Sequence, residues 1–98
     1  MNQPGSATVF VVDDEDAVAD SISLLLRSVG LATRCFPDPQ SFLAEYRPHM
    51  AGCLLLDVRM PRMGGMDLQQ EMNRRAYTLP IIFITGHGDV PMAVEAMR

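Results

Sequence analysis

Asp13, Asp14 and Asp57, with Thr85, are the residues of this sequence best placed to do chemistry. Each stands where a short apolar run stops. Val9-Phe10-Val11-Val12 ends on Asp13-Asp14, Cys53-Leu54-Leu55-Leu56 on Asp57, and Ile81-Ile82-Phe83-Ile84 on Thr85-Gly86. Strands that end in oxygen ligands put charge where a buried sheet meets solvent. Clustered carboxylates repel one another, and a hard cation is the usual compensation. Mg²⁺ takes oxygen ligands and typically uses one or two carboxylates together with phosphate oxygens. Asp14 and Asp57 can supply carboxylates for it, and a backbone carbonyl near Arg59 can add a third ligand. An aspartate in that setting can also attack phosphorus to give an aspartyl phosphate. Such a transfer depends on positioning and on neutralising the phosphoryl oxygens. The Thr85 hydroxyl can donate to one of those oxygens, and Gly86 leaves the approach open.

Each piece has a plainer reading. Asp13-Asp14-Glu15-Asp16 precedes a helical pattern, where the helix dipole favours acids. Thr85-Gly86 alone reads as a strand-ending turn, and Asp57 alone as a turn residue ahead of Pro61 and Gly64-Gly65. His87 reads as a loop histidine, with no second ligand spaced for zinc. The coincidence of the strand tips on one edge is what favours a site.

The elements that must position these groups alternate. Apolar runs at 7–12, 31–36, 52–56 and 80–84 read as strands; the first, third and fourth are nearly continuous, as strands covered on both faces are. The run 31–36 is mixed and suits an edge. Helical patterns lie between them. The first, 16–29, carries Val18, Ile22, Leu25, Leu26 and Val29 on one face and stops at Gly30. Asp38-Pro39 caps a short second helix to about residue 46. A third spans 65 to about 75 with Leu68 and Met72 on one side. Asp89-Val90-Pro91 opens a fourth that runs through Met97. The order β-α-β-α-β-α-β-α implies a parallel sheet with right-handed crossovers. In such sheets ligands bind outside the carboxyl ends of the strands, the edge the oxygen ligands already mark.

With 98 residues, one domain is expected. The net charge of −4 argues against a nucleic-acid surface in this segment. No apolar run reaches the length of a membrane span, and the N-terminus lacks the pattern of a signal peptide, so a cytoplasmic protein is expected. All eight basic residues are arginine. The two cysteines, Cys35 and Cys53, match no metal or redox spacing and read as small apolar residues on strands. The methionines read as core and loop filler, with Met92 and Met97 as candidates for a partner surface.

Three blocks, Val-Val-Asp13-Asp14-Glu15, Leu-Leu-Leu-Asp57-Val-Arg-Met-Pro61-x-Met-x-Gly65 and Ile-Ile-Phe-Ile-Thr85-Gly86, resemble the receiver domain of two-component response regulators. The likeness covers nearly the whole chain, and the stretch 85–97 is similar to the FixJ-like branch. The resemblance implies an α/β, flavodoxin-like (CheY-like) fold, the family order 2-1-3-4-5, with this chain supplying 2-1-3-4 and lacking strand five and helix five. It implies that Asp57 is the phosphoacceptor, that Asp14 binds Mg²⁺ directly with Asp13 acting indirectly, that the Arg59 backbone carbonyl completes the protein ligands, and that Thr85 binds the phosphoryl group. A sensor histidine kinase would be the donor, docking along helix 16–29. Arg59 and His87 fall at positions where the family tunes dephosphorylation. The implied order also places Cys35 and Cys53 about two strand spacings apart, roughly 9–10 Å, too far for a disulfide.

Residues 1–98 are therefore expected to be a receiver domain incomplete at its C-terminus. The family lysine, the strand-five aromatic residue and the DNA-binding output domain would all lie beyond it, so DNA is expected to be reached only through an output domain. The chain is not expected to be an enzyme beyond accepting, and slowly losing, a phosphoryl group. An uncovered strand-four edge leads to the expectation of self-association, through that edge or by segment exchange. Two other readings stay open: a receiver-like interaction module that is never phosphorylated, favoured by the missing lysine, and, ranked last, a hydrolase of the aspartyl-phosphate type.

Overall fold

The computed structural model describes residues 7–58 and 64–84. Four strands and three helices alternate: β1 (Thr8–Val12), α1 (Asp16–Ser28), β2 (Ala32–Phe36), α2 (Pro39–Glu45), β3 (Gly52–Asp57), α3 (Gly65–Arg74) and β4 (Ile81–Ile84). The strands form one sheet in the order β2-β1-β3-β4. Every pairing is parallel, with Val12 opposite both Phe36 and Leu56, and Asp57 opposite Ile84. This is the expected order, with β2 at one edge. The fourth helix expected at 89–97 lies outside the described residues, as do Arg59, Thr85, Gly86 and His87.

Side-chain alternation gives the sheet two different faces. On one, Phe10, Val12, Leu54 and Leu56 meet Phe42 and Tyr46 around α2 and Leu68 and Met72 of α3, all of them buried. Phe10 is the hub. Its ring lies 5.8 Å from those of both Phe42 and Tyr46, in edge-on contact. Aromatic pairs in such geometry add stabilisation beyond their buried area.

The other face carries α1, which packs on β2 and β1. Here the expectation from apolar spacing needs correction. The residues α1 buries are Ala19 and Ser23, whereas Leu25 and Val29 are 67% and 70% exposed. Small side chains allow the helix to approach β2 closely. The Ser23 hydroxyl bonds that of Thr33 at 2.9 Å, and the Cys35 thiol lies 3.9 Å from the Ala19 carbonyl as a weak donor. These contacts roll α1 towards β2 and turn its apolar flank outwards.

Local punctuation works as its residue types dictate. Gly30, at φ 87°, ends α1 by letting Leu31 N–H donate to Leu26 O and Gly30 N–H to Arg27 O. Asp38 caps α2 by accepting from Ser41 N–H at 2.7 Å, with Pro39 at the first helical position. Both cysteines are free, Cys35 exposed and Cys53 half-buried. No helix among the described residues is long and apolar enough to cross a membrane.

Candidate functional site

Strand register builds the site. Val12 of β1 and Leu56 of β3 are partners in adjacent parallel strands, so Asp13 and Asp57, the next residues of each chain segment, emerge together at the carboxyl edge. Both are nearly enclosed, at 3% and 5% exposure, while Asp14 is exposed. One carboxylate oxygen from each of Asp13, Asp14 and Asp57 lies within 4.8 Å of the others. Three of the residues singled out from sequence are thus brought together. Arg59 and Thr85 lie outside the described residues.

The backbone around the cluster is fixed on both sides. Asp13 N–H donates to Phe36 O at 3.1 Å, which extends the β1–β2 ladder one residue past the strand. Val58 N–H donates to Ile84 O at 3.3 Å, which does the same for β3 and β4. Glu15 N–H donates to Asp13 Oδ1 at 2.9 Å. This two-residue closure orients the Asp13 carboxylate and turns the chain into α1. Sequence reading did not single out Glu15. The signal was present in Asp13 itself, because aspartate ahead of a helix often accepts from the amide two residues on.

A Cβ on Gly64 would lie 3.3 Å from the Val58 carbonyl oxygen, so the start of α3 passes close to the end of β3. Asp67 accepts from Gly64 N–H at 3.2 Å, which caps that helix.

The donor set is all carboxylate oxygen, the chemistry of Mg²⁺ and Ca²⁺ sites rather than of zinc or copper. Two enclosed acids and one open acid suit a cation that keeps water and accepts further oxygens from a solvent-side ligand. The residues present therefore fit a magnesium ion, with Asp14 presenting its carboxylate to solvent and Asp13 and Asp57 closing the inner side.

Comparison with known proteins places this geometry. The family model described as the response regulator receiver domain matches residues 9–98. The response regulator protein TmoT of Ectopseudomonas mendocina is 46% identical over 98 residues, covering 100% of this chain and 44% of TmoT. The transcriptional regulatory protein FixJ of Azorhizobium caulinodans is 46% identical over 95 residues, covering 97% of this chain and 45% of FixJ. The chain thus spans less than half the length of these curated relatives. Among solved structures, the crystal structure of FixJ-N superposes with a TM-score of 0.83 at 43% identity, covering 94% of this chain and 74% of that one. A low-resolution structure of response regulator StyR gives 0.84 at 47% identity, covering 93% of this chain and 46% of that one. A chemotaxis protein CheY4 of Vibrio cholerae, at 22% identity and TM-score 0.79 with 93% and 78% coverage, shares the CheY-like, flavodoxin-like fold.

Proposed function

The chain belongs to the response regulator receiver domain family, and from that premise we propose that it receives a phosphoryl group on Asp57 from a sensor histidine kinase. The observation that carries the reading is the convergence of Asp13, Asp14 and Asp57 at the ends of β1 and β3. An Asp57 carboxylate oxygen attacks phosphorus, the bond from phosphorus to the donor imidazole nitrogen breaks, and an acyl phosphate forms. A bound magnesium ion would offset the charge of the carboxylates and the phosphoryl oxygens. Asp14, Asp57 and the Arg59 backbone carbonyl are the direct ligands in this reading, and Asp13 acts indirectly, its carboxylate held by Glu15 N–H. Thr85 supplies a hydrogen bond to the phosphoryl group.

The donor docks over the exposed start of α1, which leads directly from the carboxylates. Relatives such as FixJ are transcriptional regulators, and on that likeness the phosphorylated state controls a DNA-binding output domain in the cytoplasm. Autodephosphorylation returns the site to its free form. A receiver-like interaction module that is never phosphorylated is the second reading.

Self-association belongs to the same proposal. β4 is four consecutive apolar residues, and its outer edge pairs with no strand among the described residues. An apolar strand edge of that kind pairs readily with another chain, directly or by exchange of segments.

Adding Mg²⁺ and beryllofluoride, an acyl-phosphate mimic, tests the phosphoacceptor reading. Amide NMR shifts should move around Asp13, Asp14 and Asp57 in the wild type and stay put in Asp57→Asn. An unresponsive wild type would favour the interaction-module reading.

A further inference from the structure

Two glycines, Gly64 and Gly65, stand where α3 begins, in place of the Ser, Thr, Asp or Asn most favoured at a helix start. Gly64 is the N-cap, and its backbone is extended, at φ −75° and ψ 174°. Any residue adopts that conformation, so the glycine serves no left-handed turn. What it supplies is room. A Cβ on Gly64 would stand 3.3 Å from the Val58 carbonyl oxygen, and that carbonyl would have to yield. Val58 is the residue that follows Asp57.

The glycine leaves the helix with half a cap. Having no side chain, Gly64 cannot accept from the amide of Asp67, the bond a serine or threonine would make in a capping box. The other half is formed: the Asp67 carboxylate accepts from Gly64 N–H at 3.2 Å. Gly64 O in turn accepts from Leu68 N–H at 3.1 Å, and Leu68 is fully enclosed in the core. Two bonds thus hold Gly64 to α3, while its other side abuts Val58. The sheet's own hold on Val58 is weaker. Val58 N–H reaches Ile84 O at 3.3 Å, beyond the usual range for such a bond. Asp67 itself is exposed and lies outside the carboxylate cluster.

We propose that Asp67 is a positioning residue for the phosphoacceptor. Its bond to Gly64 N–H keeps Gly64 against the Val58 carbonyl, and that contact sets the backbone leaving Asp57. The Asp57 carboxylate hangs from the strand end so fixed, and its line of approach to phosphorus follows the seating of Gly64. The role rests on the phosphoacceptor reading of Asp57 and adds to it a residue ten positions along the chain, on a different element.

Timed phosphorylation of the full chain by acetyl phosphate at saturating Mg²⁺, followed by intact-mass spectrometry, tests this alongside melting temperatures. Asp67→Ala should slow modification by about tenfold, since an ångström of misplacement can cost about a hundredfold. Asp67→Asn keeps an acceptor oxygen and removes the charge, so it should retain the wild-type rate. Gln70→Gly, at an exposed position of α3, weakens the helix without touching Gly64. It should lower the melting temperature at least as much as Asp67→Ala and leave the rate unchanged. Amide exchange at Val58 should quicken in Asp67→Ala alone. Asp67→Ala modified at the wild-type rate, or an equal slowing in Gln70→Gly, would overturn the positioning role. Asp67→Asn as slow as Asp67→Ala would overturn it too, by assigning the effect to charge at the start of α3. A wild type that is never modified would instead remove the phosphoacceptor reading, and this role with it.

Discussion

Asp13 and Asp57 share the carboxyl edge because Val12 and Leu56 are partners in neighbouring parallel strands. The two acids are far apart in sequence, yet a single step of strand register sets both of them beside the exposed Asp14. The fold thus holds the two enclosed acids in place before any ligand arrives.

Asp14 should therefore carry cation binding without carrying the fold. It is the exposed member of the cluster, so Asp14→Asn should leave the melting temperature nearly unchanged. Mg²⁺ titration by calorimetry should show affinity lowered at least about tenfold, since one of few charged ligands is gone.

Gly52 opens β3 at φ 145°, and a Cβ there would stand 1.8 Å from the Thr8 carbonyl oxygen. The contact is with backbone, so no side chain can move aside. Gly52→Ala should destabilise the chain by on the order of 3 kcal/mol in urea unfolding, combining backbone strain with displacement of β1.

Ala76 presents the opposite case. It takes φ 59° at the end of α3, where Ala76 N–H donates to Asn73 O and Tyr77 N–H to Met72 O. Glycine normally fills this position, as Gly30 does after α1. Ala76→Gly should stabilise by about 0.5–1 kcal/mol by relieving the left-handed conformation, read as a raised melting temperature.

Glu71 bonds both Arg74 and Arg75, through Arg74 Nε at 3.1 Å and Arg75 Nε at 2.6 Å. The hydrogen bond from Arg74, then that from Arg75, holds its carboxyl down at about 2. A carboxyl lowered on folding contributes stability above its unfolded value, here 4.5, and loses it as pH falls through about 2. Both arginines are exposed to solvent, so the effect is small. Carbon-detected NMR should place the Glu71 midpoint near 2, and Glu71→Gln should abolish its share of acid sensitivity in that window.

The strands and their edge were legible in the sequence because buried parallel strands are nearly continuous apolar runs, and each stops at a polar residue. Gly30 and Asp38-Pro39 were legible for the same local reason, since each residue type has one strong use there. The seating of α1 was not. Val18, Ile22, Leu25 and Val29 look like a core stripe by spacing, but Ala19, Ser23 and the Ser23–Thr33 hydroxyl pair decide which side faces the sheet. That contact depends on a strand ten residues away. The left-handed turn at Ala76 was hidden because no glycine marks it. The structure brings together the three acids that the strand tips marked, and the Glu15 N–H bond that orients Asp13 follows from aspartate's own habit of accepting from the amide two residues on.

Mass spectrometry after incubation with acetyl phosphate and Mg²⁺ tests the central claim most directly. The account predicts one added phosphoryl group, labile to hydroxylamine as an acyl phosphate is, mapped to Asp57, dependent on Mg²⁺ and absent from Asp57→Asn. An unmodified wild-type chain, or equal modification of Asp57→Asn, would contradict it.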